Sequence, residues 1–288
     1  MNTNVKEILC CPTCQKKLKF FGENKFICPS CKKEALQEGR LIDFSQMTYT
    51  LPLDLAKHIQ ILAENAGRIM KDITPGWRIK SVLERVMKMA QGSICLEIGG
   101  ADGPMTPTLE NLFDSVLTID YSKTFLRRIE AKTKKTICLF GDAHFLPLED
   151  QSIDMVVCSE VLEHSTIPTQ LMTEIQRVLK KNGVAIVSVP NESTLCIHRK
   201  RRPNLLPPSD SHINFFTPET LTRLAYRTGL NLVDIQTIFR PNSSFMMRMR
   251  NMANFIRRGY HNSYILCTFK PMANPLIYWK SLYEKIKS

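Results

Sequence analysis

Two pairs of cysteines, one glycine-rich turn and a row of carboxylates are the residues whose types and spacing could do chemistry. Cys11-Pro12-Thr13-Cys14 and Cys28-Pro29-Ser30-Cys31 are Cys-x-x-Cys knuckles separated by a hairpin-length spacer. That spacing can put four thiolates at the corners of a tetrahedron, which is a structural zinc site. Cys10 is a fifth thiol that could replace Cys11, so the ligand set stays open at that point. The second feature is Leu96-Glu97-Ile98-Gly99-Gly100-Ala101-Asp102-Gly103. A strand entering such a turn and leaving into a helix surrounds a bound ligand with backbone N–H groups. Pro104 suits the first turn of that helix. Gly99 and Gly103 permit the tight bend and a close approach. Glu97 adds a carboxylate expected to face the same crevice.

Elements must bring these groups together, and from residue 92 onward strand and helix patterns alternate. Strands are expected at 93–98, 116–119, 136–140, 153–158, 184–189, 230–239 and 264–269. Helices are expected at 122–131, with Ser122 as N-cap, at about 168–180, and from Thr217-Pro218-Glu219. Lys181-Asn182-Gly183 reads as a glycine stop closing the second of these. Near-continuous apolar strands between helices predict a mostly parallel sheet covered on both faces. Glu97, Asp120 and Asp142 would then lie along one carboxyl edge, where such sheets bind ligands. A carboxylate about 20 residues past the glycine turn suits a ribose diol. The G-x-G-x-x-G spacing of a dinucleotide site is missing, and the acidic edge suits a cation better than a pyrophosphate.

These motifs resemble the class I S-adenosylmethionine-dependent methyltransferases. The resemblance is carried by Glu97 to Gly103, Thr118-Ile119-Asp120, Gly141-Asp142-Ala143-His144-Phe145-Leu146-Pro147, and Asp154 to His164, and covers residues 92–270. It implies a Rossmann-like, seven-stranded, doubly wound α/β sheet. It also implies that Glu97, Gly99, Gly100, Ala101 and Gly103 hold the methionine portion of S-adenosylmethionine. Asp120 would bind the ribose hydroxyls, Asp142 and Ala143 would flank the adenine, and Ser159 and Glu160 would border the methionine tail and the substrate. Ala101 stands where the family most often has its middle glycine. Methyl transfer from a sulfonium chiefly needs positioning and exclusion of water. For a hydroxyl acceptor a base helps, and His164 and His212 are the candidates, with a structural or hydrogen-bonding role as the other reading of each. Asn191 would line the pocket.

The residues before the catalytic region divide into a zinc ribbon at 1–44 and a helical connector at 45–91. In the ribbon, 18–21 and 25–27 read as two short strands around Gly22-Glu23-Asn24. So small a module has no core of its own, and metal binding would supply its folding energy. It looks like the ribbon at the front of some methyltransferases, among them bacterial ribosomal-RNA guanine methyltransferases. In the connector, 55–66 and 79–90 carry helical periodicity. Beyond the sheet's core lie a basic cluster at 198–202, in which Arg199, Arg201 and Arg202 would meet substrate, a basic insertion at 241–261, and an amphipathic tail at 271–288.

The chain has a formal net charge of +12, which favours anionic partners. Three substrate classes follow. One is a small-molecule, glycan or lipid-linked acceptor, anionic so as to match the arginines. The second is RNA, read through the ribbon. The third is no substrate at all, the chain being a ribbon-bearing binding module. The basic amphipathic segments also suit an anionic membrane surface or packing against the core. No apolar run reaches the roughly 20 residues of a bilayer span. No export signal is read at 1–9, and Cys95, Cys138 and Cys158 sit in strand-like runs. A reduced, cytoplasmic setting is therefore expected.

Overall fold

The computed structural model describes residues 3–47, 76–191, 212–239 and 263–273. Arg199, Arg201 and Arg202, the insertion at 241–261, the stretch 55–66 and most of the tail lie outside these residues. The N-terminal part contains α1 (Thr3–Glu7), β1 (Lys19–Phe21), β2 (Lys25–Ile27), β3 (Glu34–Glu38) and β4 (Leu41–Asp43). Next come α2 (Gly76–Met89), β5 (Ile94–Ile98), α3 (Thr106–Leu112), β6 (Ser115–Asp120), α4 (Lys123–Lys132) and β7 (Ile137–Phe140). β8 (Ile153–Ser159) leads through a 3-10 turn (Leu162–His164) into α5 (Pro168–Val178) and β9 (Leu179–Pro190). α6 (Pro218–Arg227), β10 (Leu230–Phe239) and β11 (Ser263–Pro271) complete the described elements.

All strands join one sheet in the order β1-β2-β3-β4-β7-β6-β5-β8-β9-β11-β10. The pairings from β4 through β9 are parallel, while β11 runs antiparallel between β9 and β10. The seven expected strands are β5 to β11. The chain steps from β5 outward to β7 and then returns to the other side of β5 for β8. That reversal opens a crevice at the carboxyl ends of β5 and β8.

The sheet is covered on both faces because its strands are apolar on both. Val82 and Val86 of α2 and Leu109 of α3 pack with Cys95, Val116, Met155, Val157 and Ile186 on one face. Leu171, Ile175 and Val178 of α5 and Leu221 and Ala225 of α6 pack with Leu96, Ile98, Leu117 and Val156 on the other. Ser122 caps α4 by accepting the Phe125 amide at 3.2 Å, and Thr217 caps α6 with a Thr220 capping box. Both caps fall where the sequence puts them.

Two boundaries differ from the sequence reading. α5 ends at Val178, so Lys181-Asn182-Gly183 lies within β9. Leu179 pairs with Ile153 and Val184 with Met155, leaving residues 180–183 bulged. Gly183 is needed because a Cβ there would press against Leu179 and the carbonyls of Lys180 and Asp154. Pro104 precedes α3, and Pro107 occupies the first turn instead.

The N-terminal module is built into the same sheet. β4 pairs in parallel with β7, matching Leu41 to Cys138 and Asp43 to Phe140. Val5, Leu9, Phe26, Ile42, Phe44 and Met47 join the core cluster of the main sheet. A module too small for its own core thus shares a larger one. Burying a side chain such as Phe44 completely contributes roughly 1.5–3 kcal/mol. Arg40 strengthens the seam: its Nη1 donates to the Thr136 carbonyl at 3.0 Å, and its amide to Glu130 Oε1 at 2.6 Å.

Candidate active site

The turn after β5 is held in shape by three left-handed residues, Gly99, Ala101 and Gly103, with φ of +71°, +46° and +73°. Side chains crowd it from below. A Cβ on Gly99 would strike Val161, and one on Gly100 would strike Thr118 Oγ1. Ala101 takes the same backbone hand with a Cβ present, a conformation that costs about 1–2 kcal/mol for an L-residue.

Glu97 was expected to face the crevice but is sealed beneath the turn, with no solvent exposure. Its position on β5 points it at α3, where Thr106 Oγ1 donates to its Oε2 at 2.6 Å. Its Oε1 and the Thr118 hydroxyl have no hydrogen-bond partner. Burial, opposed by the Thr106 hydroxyl and helped by the charge of Asp120, raises its pKa to about 7.

Asp120 ends β6 and spans two loops. Its Oδ2 accepts the Ala101 amide at 3.1 Å and its Oδ1 the Ser122 amide at 2.9 Å. Burial raises its pKa to about 6, against the pull of those amides. The residue is half-buried, and its carboxylate keeps lone pairs for further donors.

Asp142, just past β7, is held by a short relay. Its Oδ1 accepts the His144 amide at 2.9 Å and lies 2.6 Å from His144 Nδ1, whose ring Nε2 lies 2.6 Å from Ser165 Oγ. Ala143 packs against the core beside it. The rest of the loop is pinned from below, since Leu146 N donates to Glu174 Oε2 at 2.7 Å and Arg177 Nη1 to the Leu148 carbonyl at 2.6 Å.

At the carboxyl end of β8, Ser159 Oγ lies 2.8 Å from Ser188 Oγ, which also reaches Glu160 Oε1 at 3.3 Å. Glu160 sits at φ +58° and pairs with Arg78 of α2. Burial raises its pKa to about 7 although Arg78 opposes that. Arg78 also lies over the Tyr264 ring, 4.2 Å from its centroid. One turn on, Glu163 is buried with no N–H or hydroxyl group donating to either of its carboxyl oxygens. Burial and the neighbouring Glu160 charge push its pKa well above the usual carboxylate range.

The two candidate histidines meet here. The Glu163 carbonyl accepts the amides of Ile213 and Asn214 at 2.9 and 3.0 Å. The Asn214 side chain donates to the carbonyls of Leu162 and Ser165 at 3.1 and 2.5 Å. This clamp sets the His164 and His212 rings edge to face with centroids 4.8 Å apart. Burial, then the charges of His164 and Arg78, lowers the His212 pKa to about 4. Asn191 is buried and bridges to Phe216 at the same end of the sheet. Sequence reasoning did not find Arg78, Glu163 or the His144–Ser165 link.

Cys11, Cys14, Cys28 and Cys31 converge with their sulfurs within 4.8 Å of one another. Cys14 and Cys28 are 3.5 Å apart, close to the roughly 3.8 Å edge of a tetrahedron with Zn–S bonds of about 2.3 Å. The two knuckles repeat one backbone turn: Gln15 N donates to Cys11 O and Lys32 N to Cys28 O, with Gln15 and Lys32 both at φ +59°. The Lys16 amide and the neighbouring thiols lower Cys14 to about 6. Cys10 is outside the cluster, donates to Gln15 Oε1 at 3.1 Å and is pushed up to about 12 by burial. Of the two, Cys11 is the one that lies in the cluster.

The methyltransferase domain family matches residues 96–187, the span from β5 into β9 that holds this crevice. These residues are a class I methyltransferase domain. A Mycolicibacterium smegmatis protein described as a probable S-adenosylmethionine-dependent methyltransferase is 28% identical over 162 residues, covering 56% of this chain and 61% of its own length. The ubiquinone biosynthesis O-methyltransferase of Pasteurella multocida is 28% identical over 151 residues, covering 52% and 58%. Across the curated relatives it matches, the chain spans from about a third to about three fifths of their length. A Pyrococcus horikoshii structure superposes with a TM-score of 0.51 at 19% identity, covering 69% of this chain and 93% of that one. This likeness shows the fold. Among the described residues of the methyltransferase domain and its flanks, no helix is long and apolar enough to cross a membrane.

Proposed function

We propose that this chain is an S-adenosylmethionine-dependent methyltransferase acting on an O or N atom of a small-molecule, glycan or lipid-linked acceptor, an anionic one by the charge of the chain. The observation that carries the reading is the Asp120 carboxylate, fixed at the end of β6, on the carboxyl edge of the sheet, by amides from both neighbouring loops. A rigid acceptor pair of this kind suits the two hydroxyls of a ribose. Asp142, oriented by His144, suits the adenine side, and the Gly99–Gly103 turn with Ser159 and Glu160 suits the methionine portion. The bound cofactor supplies a methyl group already activated on a cationic sulfur.

The chain's own residues then have three tasks. Glu97 braces the turn from beneath through Thr106. Arg78, held between Glu160 and Tyr264, fixes the Glu160 carboxylate at the end of β8 from the α2 side. His164, at the solvent side beside the neutral His212 ring, can take up an acceptor proton. The cysteine cluster is proposed to hold one structural zinc, and the described site fits it. A cytoplasmic location and a peripheral contact with anionic lipid through the basic segments belong to the same reading.

RNA is the second reading, favoured by Phe20 and Phe21, exposed on the ribbon with Lys6 3.5 Å over the Phe20 ring centroid. Exposed aromatics beside cations suit unpaired bases. The deciding experiment feeds methyl-labelled S-adenosylmethionine and the protein to a cell extract split into RNA, protein, lipid and small-molecule pools. Label in the lipid or small-molecule pool supports the first reading, and label in RNA the second. Loss of both labelling and cofactor binding would leave the chain a binding module.

A further inference from the structure

Glu163 is the buried carboxyl group that the methyl-transfer reading does not use. Two carboxylates, Glu160 and Glu163, lie at the carboxyl end of β8, and one cation, Arg78, is paired with Glu160. Arg78 is also stacked on Tyr264. Glu163 is 1% exposed, and its carboxyl faces the Glu160 carboxylate with no N–H or hydroxyl group donating to either of its oxygens. A buried carboxylate in that state is costly by several kcal/mol unless it binds a proton or a cation.

The groups around it are those of a metal site. Ligand atoms of Glu163, His164 and His212 all lie within 4.8 Å of one another, with His164 Nε2 3.9 Å from Glu163 Oε1. In a filled site with bonds of about 2.1 Å, such atoms sit roughly 3–3.5 Å apart. Small rotations of two imidazoles cover the difference. The Asn214 clamp already fixes the two loops that carry them. The His164 side chain is 38% exposed, so the cluster opens towards solvent at the crevice.

We infer that Glu163, His164 and His212 form a binding site for one divalent transition-metal cation at the acceptor side of the crevice. Two imidazoles and a carboxylate suit manganese, iron(II), cobalt or zinc, with positions left open for oxygen donors. The class of acceptor this favours carries two neighbouring oxygens, such as a vicinal diol or a hydroxy acid. A cation there lowers the proton affinity of a hydroxyl it binds, a task otherwise left to the histidines. The cation site stands on its own geometry; its link to catalysis rests on the methyl-transfer reading.

Manganese(II) is the probe, because thiolates of the N-terminal cluster bind it poorly and its free aqua ion is read by electron paramagnetic resonance. Full-length, zinc-loaded protein is titrated with and without S-adenosylmethionine. One manganese per chain is expected. Glu163→Gln, His164→Ala and His212→Ala are each expected to weaken it at least tenfold. Zinc content and calorimetric affinity for S-adenosylmethionine, read on the same samples, report whether each variant is folded. His212→Gln replaces any variant that is not. No manganese bound at millimolar concentration, or equal binding by wild type and folded variants, overturns the site. Absent S-adenosylmethionine binding with manganese binding intact removes the methyltransferase reading and leaves the cation site standing.

Discussion

Asp120 Oδ2 accepts the backbone amide of Ala101 at 3.1 Å, so the residue ending β6 fixes the turn that ends β5. Ala101 holds φ +46° to present that amide. An alanine in the left-handed region is strained by about 1–2 kcal/mol, and glycine there is not. Glycine gives back part of the gain as unfolded-state entropy. Ala101→Gly is therefore expected to stabilise the fold by up to about 1 kcal/mol, a rise in the unfolding midpoint of roughly 2–4 °C. A lower midpoint for the variant would show that the Cβ contributes packing that outweighs the strain.

Removing the other partner acts on binding. Asp120→Ala deletes the acceptor for both loop amides and the carboxylate proposed to meet the ribose. S-adenosylmethionine affinity is expected to fall at least tenfold by calorimetry. Asp120→Asn keeps one acceptor oxygen and should fall between the two. Unchanged affinity in Asp120→Ala would sink the assignment.

Glu97 makes stability depend on pH. Its pKa in the folded chain is about 7, set first by burial, against about 4.3 for an exposed glutamate. The folded form therefore holds a proton that the unfolded form releases. Its stabilising effect is full below the unfolded pKa and is lost as pH rises through about 7. A shift of this size is worth on the order of 3 kcal/mol. Wild type should thus lose stability between pH 5 and pH 8, and Glu97→Gln should lose distinctly less. Parallel melting curves of the two proteins across that window would place the effect elsewhere.

Much of this arrangement was legible because strand periodicity, glycine turns and strand-end carboxylates are local signals. Asp120, Asp142 and the four clustered cysteines stand where their spacing put them. The caps at Ser122 and Thr217 also follow from short-range chemistry. Glu163 was not legible, since its burial depends on residues 212–214 folding back onto the 3-10 turn. Arg78 was hidden for a similar reason: its partners Glu160 and Tyr264 are 82 and 186 positions away in the chain. β3 and β4 were missed because Glu34–Glu38 carries charge at both ends and Leu41–Asp43 is only three residues long. Their strand state comes from pairing with β2 and β7 rather than from propensity.

That pairing links the cysteine cluster to the cofactor side of the crevice. Phe44, following β4, donates its amide to the Phe140 carbonyl at 2.9 Å, and a Cβ on Gly141 would lie 3.5 Å from its own. Cys10 N reaches the Pro147 carbonyl at 3.1 Å, and Glu149 N reaches Ile8 O at 2.8 Å. The loop carrying Asp142 and His144 is therefore bounded at both ends by the ribbon. If the cluster holds zinc, one ion per chain is expected by elemental analysis. Cys28→Ser, or removal of the metal by a chelator, releases the knuckles and with them the covering of Ile42, Phe44 and Met47. The unfolding midpoint should then drop. S-adenosylmethionine affinity should drop as well, through loss of order at Asp142, even though no cysteine touches the crevice. A metal-free protein that binds S-adenosylmethionine as tightly as the loaded one would show that the shared sheet holds the loop without help from the metal.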